Sequence, residues 1–418
     1  MVCAPSAART EPTAAAAAMF EKRATVGPAL LMADSLAQGA RRCHENRAEQ
    51  GQNTNDRRMA MRHRLALAAL LGLASVAWSQ DPNATTTVGT ASAARGTTAF
   101  GELQVPRESD AATTISVAVI NGAKPGKVVA FVAGSHGTEY ASIVALTRLI
   151  GQIDPKTLAG TVIVAPLLNV ASFEQMTVHV NPIDRKGMNA GYPGNPSGTQ
   201  SERALALVAE QIVKPADVVV DLHGGDIDED LRPYSYWTRT GNAAQDEASH
   251  ALVQAFGLDH IILRDIDVSN ASSTRSLGGY SLAQGKTTMV AEAGRSGLVL
   301  AADVDALVSG CLNVLGSLKM TSRPVKPLLR PVFVTTGSRV QADAPGMFYA
   351  TATRDAVVRE NQIVGYTTDY VGRKTGDIRA PVGGLVTFIR GVPSMWQGAT
   401  LVNVSPVLGA PPPYKKPQ

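Results

Sequence analysis

The chain has 418 residues, of which 44% are hydrophobic and 18% are charged, and its formal net charge is +4. The length leaves room for two domains, and the composition is ordinary for a globular protein. The net charge is too small to indicate nucleic-acid binding, and no basic run alternates with aromatic residues. We therefore expect a globular protein with no nucleic-acid partner.

The N-terminal region contains the pattern of a secretory signal peptide. Residues 1–60 are rich in Ala, Arg and polar residues without a sustained period. Residues 61–79 then combine two early arginines, an apolar run too short for a stable membrane anchor, and a small-x-small cleavage site at residues 77–79. We predict a mature chain that begins near Gln80, is secreted or periplasmic, and keeps no stable membrane anchor.

The signal lies unusually far from the first methionine. We expect translation to begin at Met59 or Met61, which would make residues 1–60 an over-extended or disordered leader. The alternative is a genuine N-terminal extension with an internal signal anchor, because hydrophobic length alone does not exclude it.

Cysteine usage is compatible with export. Cys3 and Cys43 lie in the leader, so Cys311 is the single cysteine after the signal and no internal disulfide can form there. Cys311 lies in an apolar helical pattern, which predicts a buried packing residue and not a thiol nucleophile.

The region after the signal changes from a polar linker to alternating strands and helices. Residues 80–99 are rich in Thr, Ala, Ser and Gly, and we expect a flexible linker there. Residues 100–326 alternate Val- and Ile-rich runs with amphipathic segments, which is typical of buried parallel strands with helices between them. We predict an α/β domain with a mostly parallel mixed sheet and helices on both faces. The predicted strands are about 101–105, 114–121, 128–134, 160–169, 217–223, 260–265 and 287–294, and the predicted helices are about 138–150, 199–212, 245–256 and 302–318.

Three groups that bind metals or transfer protons follow apolar runs directly. His136 lies in GSHGTEY, His223 in DLHGGD and Glu292 in VAEAGRSG. The carboxyl ends of strands carry the active site in open α/β sheets. His136 and Glu139 are three residues apart at a strand-to-helix turn, so both side chains can point to one place. His223 would complete a three-ligand zinc site that leaves a position for water, and Glu292 would supply the base.

Each of these residues taken alone has a simpler explanation. A single His at a strand end is more often a hydrogen-bonded loop residue. A Glu in the first turn of a helix, such as Glu139, usually complements the helix dipole. The appearance of these groups after three of the predicted strands, in the right chain order, instead favours one zinc ion per chain.

These segments resemble the motifs of the succinylglutamate desuccinylase/aspartoacylase family, a branch of the zinc carboxypeptidase-like clan. AGSHGTE is similar to the family's G-x-H-G-x-E, ADVVVDLHGG to its strand with D-L-H, and GKTTMVAEAG to the strand that carries its catalytic glutamate. The resemblance extends over about residues 101–406. It implies a zinc carboxypeptidase-like fold, zinc bound by His136, Glu139 and His223, and Glu292 as the catalytic base.

One position in the central loop departs from the family pattern. NPIDRKGMNAGYPGNPSG resembles N-P-x-D-x-K-x-L-N-R-x-F-P-G, but Ala190 stands where the family has an Arg that can bind a substrate carboxylate. Either Arg185 or Arg295 binds the anion instead, or the substrate has no carboxylate at that place. Asn189 is a candidate substrate contact because its amide can donate to an acyl or carboxylate oxygen, and the alternative is that it merely tolerates a left-handed turn.

Two more side chains lie near these motifs. His179 can compete as a metal ligand, but its alternation within MTVHVN predicts a solvent-facing strand position. Asp221, two residues before His223, is predicted to orient the His223 imidazole, and the alternative is that it caps the turn.

The C-terminal part has a different pattern from the rest. Residues 327–408 contain short β-rich runs, many Gly and Pro turns and no helical period, which predicts a small separate all-β domain followed by a tail at 409–418. The order of its runs also resembles the barrel-like C-terminal domain of the same family.

Together these patterns predict a secreted zinc-dependent hydrolase that cleaves an amide or ester bond of a small N-acylated substrate. One alternative is a zinc carboxypeptidase or cell-wall peptide hydrolase, against which Ala190 counts because it cannot bind a C-terminal carboxylate. Another is a zinc-bearing binding protein without catalysis, against which Glu292 counts because a binder needs no base. The absence of a GxSxG motif disfavours a serine hydrolase.

Overall fold

The computed structural model describes residues 85–417. The predicted leader at 1–60, the predicted signal at 61–79 and the first residues of the predicted linker lie outside this range. Within the described residues, no helix combines the length and the apolar character needed to cross a membrane.

The described strands are numbered in chain order. They are β1 (Thr86–Val88), β2 (Ala91–Ala93), β3 (Thr97–Val105), β4 (Thr113–Asn121), β5 (Lys124–Ala133), β6 (Ala159–Ala165), β7 (Val218–His223), β8 (Glu229–Leu231), β9 (Tyr234–Arg239), β10 (His260–Asp265), β11 (Thr287–Glu292), β12 (Val332–Val334), β13 (Ser338–Gln341), β14 (Gly346–Ala350), β15 (Val357–Val358), β16 (Ile363–Thr368), β17 (Lys374–Arg379), β18 (Gly384–Arg390), β19 (Ser394–Met395), β20 (Thr400–Ser405) and β21 (Val407–Leu408).

The described α-helices include four at predicted positions and two short helices that the sequence patterns did not indicate. They are α1 (Tyr140–Ile150), α2 (Val170–Gln175), α3 (Gln200–Val208), α4 (Ala243–Phe256), α5 (Leu277–Ala283) and α6 (Ala301–Ser317). A single π-helical turn, Ala209–Val213, extends α3, and 3₁₀ turns form at Met188–Ala190 and Ala271–Thr274.

A ten-stranded sheet organises the α/β region, with the order β21-β12-β10-β9-β11-β7-β5-β6-β4-β3. The strands from β6 through β5 and β7 to β11 run parallel, as do β9, β10 and β12. β9 is antiparallel to β11, and β3, β4 and β21 form antiparallel edges. The carboxyl ends of β5, β7 and β11 therefore meet at one edge of the sheet.

Helices cover both faces of this sheet, which confirms the predicted α/β class. α1, α4 and α6 pack on one face through side chains such as Leu146, Phe256 and Val304. α3 and α5 pack on the other face, where Leu205 and Leu277 are buried. Cys311 lies in the first cluster and is a free buried thiol, as predicted. Burial of these Val- and Leu-rich surfaces against both faces is the main stabilising contribution.

The predicted linker at 80–99 is structured wherever it is described. β1 and β2 form a hairpin, and β3 begins at Thr97. Val88, Ala91 and Ala93 are buried in the second core cluster, so this part of the prediction was wrong. The small and polar residues of this segment did not suggest strands, although buried and exposed side chains alternate along it. Alanine has a low β-propensity, but its side chain buries well against a neighbouring sheet.

The C-terminal strands form two antiparallel sheets, one of four strands and one of five that includes β8. Their own core includes Phe348, Val364 and Leu401. β12 and β21, in contrast, belong to the edge of the large sheet, and β8 pairs with β18. The segment 327–408 therefore begins and ends in the ten-stranded sheet, and β18 also pairs with a strand of the α/β region. The tail packs beside β10, where the Tyr414 hydroxyl donates to the Ile266 carbonyl at 3.1 Å.

Candidate active site

The end of β7 lies beside the end of β11. Glu292 and His223 are direct register partners at the last positions of these two parallel strands. Ala133, which ends β5, pairs with Leu222 on the other side of β7. Because the strands are parallel and in register, the predicted His223 and Glu292 are brought together at the sheet edge and the turn after β5 carries His136 to the same place.

Glu139 connects this turn to both histidines. It precedes the first residue of α1 and makes no capping hydrogen bond with its side chain. One of its carboxylate oxygens lies 2.5 Å from His136 Nδ1, and the other lies 2.9 Å from His223 Nδ1 and accepts from the Gly224 amide at 3.2 Å. Its carboxylate therefore faces the histidines, and complementing the helix dipole does not account for its position.

His136, Glu139 and His223 form a group whose potential ligand atoms lie within 4.8 Å of one another. Asp221 and His223 are two residues apart on β7, so their side chains lie on the same face of the strand. Asp221 Oδ1 is 3.3 Å from His223 Nε2. This carboxylate therefore faces the imidazole nitrogen opposite to the one that points at Glu139.

The buried charges at this edge shift one another's proton affinities. Burial acts to lower the pKa of His223, but the carboxylates of Asp221 and Glu139 outweigh burial and raise that pKa well above its usual range. Burial acts to raise the pKa of Glu139, but His136 and His223 reverse this effect and lower it. The pKa of Glu292 is raised well above its ordinary value, first by burial and then by Glu139 and Glu229, against the opposing effect of His223.

A cavity of about 610 Å³ opens in front of this group. It lies between the catalytic sheet edge and the C-terminal strands, which contribute Thr336, Arg339, Phe388, Thr400 and Asn403 to its wall. A smaller cavity of about 140 Å³ adjoins it below the same edge. The residues common to both walls are Asn189, His223, Tyr236, Arg264 and Glu292.

The predicted substrate residues are distributed unevenly around these cavities. Asn189 lines both, and its buried Oδ1 has no hydrogen-bond partner among the described residues. Arg185 is exposed at a turn with φ 59°. The backbone of Arg295 forms isolated β-bridges with Asp230 and Leu298. Neither arginine lines either cavity. Ala190 is exposed, and its carbonyl accepts from Arg275 Nε at 2.8 Å.

Arg264 and Arg339 are the arginines that line the larger cavity, and the sequence patterns did not indicate them. Arg264 lies on β10 and Arg339 on β13, and neither forms an ion pair with another described residue. No motif surrounds them in the sequence. Only the packing of the C-terminal strands against the sheet edge places both at one cavity.

His179 does not lie on a strand, so its predicted position was wrong. Its φ is 61°, in the left-handed region, and its ring is 5.3 Å from the His136 ring, centroid to centroid. The apparent alternation in MTVHVN lies instead in an irregular turn after α2, in which the Val180 amide donates to the Val178 carbonyl. Local alternation alone did not distinguish this turn from a short strand.

Comparison with known proteins gives a family for the chain. Residues 125–318 match the model of the succinylglutamate desuccinylase/aspartoacylase catalytic domain. N-alpha-acetyl-L-2,4-diaminobutyric acid deacetylase from Halomonas elongata is 24% identical over 322 residues, which cover 74% of this chain and 91% of the relative.

Solved structures show the same fold at low sequence identity. A succinylglutamate desuccinylase from Silicibacter sp. TM1040 is 21% identical with a TM-score of 0.69, and the match covers 79% of this chain and 100% of the other. The product-bound ectoine utilization protein EutE (DoeB) from Ruegeria pomeroyi is 22% identical with a TM-score of 0.68, over 78% and 100% of the two chains.

The family match and the deacetylase relative support a hydrolase of the deacylase type that acts on amides. The strand-end residues that motivated the sequence resemblance lie within the matched region. Residues 125–318 carry the catalytic domain of the succinylglutamate desuccinylase/aspartoacylase family, which confirms the resemblance of the sequence motifs.

Proposed function

We propose that the protein is an exported zinc-dependent deacylase that cleaves the amide bond of a small N-acylated amino acid. The observation that carries this proposal is the convergence of His136, Glu139 and His223 beside Glu292 at one sheet edge, in front of an open cavity. An ester of the same acyl group would fit the same chemistry.

The donor set fits zinc. Two imidazole nitrogens and one carboxylate are typical protein ligands of a catalytic zinc, which keeps a further position open. Asp221 faces Nε2 of His223, which leaves Nδ1 of that ring available toward the cluster. Once bound by these three residues, the ion would polarise the substrate carbonyl and acidify a water molecule.

Glu292 is the base in this proposal. Its place beside His223 allows the carboxylate to take a proton from the attacking water and to deliver it to the leaving nitrogen. Tyr234 pairs with Glu292 across β9 and β11 and lines the same cavity, so the two side chains lie on the same side of the sheet. The half-buried position of the carboxylate favours proton transfer within the cavity.

The cavity wall favours a substrate with an anionic group. Asn189 Oδ1, which has no hydrogen-bond partner among the described residues, can accept a hydrogen bond from the N–H of the scissile amide. Arg264 and Arg339 can bind a substrate carboxylate, in place of the arginine that the family pattern has at position 190. The Halomonas relative is named for an N-acetylated amino acid, which agrees with this class of substrate.

A panel of substrates tests the proposal. The purified, zinc-loaded protein is incubated with N-acetyl and N-succinyl amino acids, their carboxamide analogues, and dipeptides with a free C-terminus, and released amine is measured. We expect release from N-acyl amino acids and slower release from the carboxamides. Preferential release of C-terminal residues from peptides would instead identify a carboxypeptidase, and binding without release would identify a non-catalytic protein.

Export is a separate part of the proposal. It rests on the signal-like segment at residues 61–79, which lies outside the described residues. N-terminal sequencing of the protein from the cell-envelope or extracellular fraction should give a chain that begins near Gln80. A cytoplasmic chain that retains the signal segment would contradict export and leave the deacylase proposal unaffected.

A further inference from the structure

A second set of potential metal ligands lies in the same cavity region, outside the cluster assigned to zinc. His179, Asp228 and Glu229 each offer one ligand atom within 4.8 Å of the others. The loop after β7 carries Asp228, β8 begins at Glu229, and the turn after α2 carries His179. The catalytic proposal uses none of the three.

Asp228 presents a buried carboxylate oxygen that makes no hydrogen bond within the described part of the chain. The residue is 6% exposed, and its Oδ2 accepts from Arg390 Nη1 at 2.6 Å. Its Oδ1 has no hydrogen-bond partner among the described residues and lies 3.9 Å from His179 Nε2. An unpaired carboxylate oxygen in a buried position is costly, so this geometry indicates a missing cation or donor.

Asp226 holds the His179 ring in place. Its Oδ2 lies 3.4 Å from His179 Nδ1 and accepts from the His179 backbone amide at 3.3 Å. Its Oδ1 accepts from the Thr138 hydroxyl and from the Ile227 amide. Both oxygens of Asp226 are therefore used, and the arrangement directs His179 Nε2 away from Asp226, toward Asp228 and Glu229. A carboxylate on the far nitrogen of a histidine is a common support for a metal ligand.

The distances fit a shared cation better than direct hydrogen bonds. His179 Nε2 lies 3.7 Å from Glu229 Oε1 and 3.9 Å from Asp228 Oδ1. Both exceed hydrogen-bond range. Two ligands bound to one zinc at about 2.0–2.2 Å can lie up to about 4 Å apart, with about 3.4 Å expected for tetrahedral angles. The His179 side chain is 41% exposed, so an ion can reach the group from solvent.

We propose that His179, Asp228 and Glu229 bind a second divalent metal ion beside the catalytic cluster, with Asp226 orienting His179. One imidazole and two carboxylates form a mixed nitrogen and oxygen site suited to zinc or a similar transition metal. Their two negative charges balance the charge of the ion. The proposal does not depend on the deacylase assignment, because the second group shares no ligand atom with His136, Glu139 and His223.

Metal stoichiometry tests the second site directly. The full chain is stripped with a chelator and dialysed against increasing free Zn²⁺, and bound zinc per chain is measured by mass spectrometry. We expect the wild type to approach two zinc ions per chain and His179→Ala to approach one. His223→Ala should also approach one, because it retains the second site, and the double variant should retain neither ion.

The variants separate failure of this inference from failure of the catalytic assignment. A wild type that saturates at one zinc, with His179→Ala unchanged and His223→Ala empty, would overturn the second site alone. If His223→Ala binds as much zinc as the wild type, and only His179→Ala loses zinc, the first site would be overturned instead. Glu229→Gln is the second variant that tests this site. Asp228 is not replaced, because it also pairs with the buried Arg390 and its replacement can prevent folding.

Co²⁺ provides a readout that does not require activity. Two Co²⁺ ions in one cavity interact magnetically, so the electron paramagnetic resonance signal at two equivalents should be smaller than the sum of the signals from His179→Ala and His223→Ala. An additive signal would show that the second ion binds elsewhere. Asp226→Asn should lower the affinity for the second ion by about 10- to 100-fold and leave the affinity for the first ion unchanged.

Discussion

The strand-end cluster and the remaining wall of the cavity are positioned in different ways. His223 and Glu292 are adjacent in strand register, and Glu139 and His136 follow the neighbouring strand directly. Asn189 lies on a 3₁₀ turn within a long loop, Arg264 on the outer strand β10, and Arg339 on a C-terminal strand. Backbone pairing thus holds the groups proposed for chemistry, whereas loop packing and domain contact hold those proposed for recognition. Changes in the first region should affect the chemical step, and changes in the second should affect substrate choice.

The largest effect is expected when a ligand of the strand-end cluster is removed. His223→Ala should lose the zinc of this cluster and all measurable deacylation, because two remaining ligands bind the ion too weakly. Metal content at this site and released amine are the measurements. His250→Gln is a matched control, since His250 packs against Trp237 and lines neither cavity, and it should retain both properties. Activity retained by His223→Ala would refute the metal assignment.

The next effect concerns the proposed base. Glu292→Gln should keep the fold and the bound metal but lose about 10²- to 10⁴-fold in kcat, because the amide is nearly isosteric but cannot accept a proton from water. Zinc content, thermal unfolding and kcat are measured together. Turnover near that of the wild type in a zinc-loaded variant would place the base on another residue.

The recognition wall should give a smaller and more selective effect. Arg264→Met should raise KM for N-acyl amino acids by about 10- to 100-fold, because one charge-assisted contact to the substrate carboxylate is lost. The carboxamide analogues should change little, since they carry no anion. Arg185→Met is the matched control, because that exposed arginine lines neither cavity. Equal losses for acids and carboxamides would contradict carboxylate recognition by Arg264.

The smallest effect concerns the support of the central loop. Glu202 pairs with Lys186 at 2.8 Å and closes the capping box of α3 with Thr199, and these contacts lower its pKa from 4.5 to about 2. A lowered folded-state pKa stabilises the fold above the unfolded pKa, and the contribution is lost as the pH falls from 4.5 toward 2. Glu202→Gln should therefore cost about 1 kcal/mol of unfolding free energy near neutral pH.

Urea unfolding of both proteins over this pH range measures that contribution. The difference between wild type and Glu202→Gln should shrink as the pH falls below 4.5. Glu210→Gln is the control, because its pair with Lys214 is exposed on the surface and should contribute little at any pH. A difference that stays constant with pH would mean that the charge of Glu202 does not support the loop.

Much of the strand-end cluster was predictable because its determinants are local. Each group directly follows a run of apolar β-formers, and the ends of parallel strands meet at one edge of a sheet. The sequence also predicted the face-covering helices and the buried Cys311 correctly. It did not predict β9, which lies between β10 and β11, parallel to the first and antiparallel to the second, because this placement depends on long-range pairing.

The loop and domain contacts were not accessible in the same way. Arg185 and Arg295 are close in sequence to the motifs, but neither lines a cavity, whereas Arg264 and Arg339 do. Arg264 and Arg339 come together because two distant segments pack against each other, and no local residue pattern predicts such packing. The position of His179 likewise depends on its contact with Asp226, 47 residues further along the chain.

The sequence by itself determined the α/β class, the grouping of His136, Glu139, His223 and Glu292, and the β-rich nature of the C-terminal part, because apolar periodicity and strand-end placement are local properties. Only the tertiary structure decided the ordered hairpin before β3, the shared pairing of β8 with β18, and the arginines that face the cavity. These features depend on contacts between residues far apart in the chain, and such contacts are determined by burial of complementary surfaces and not by the local preference of any segment.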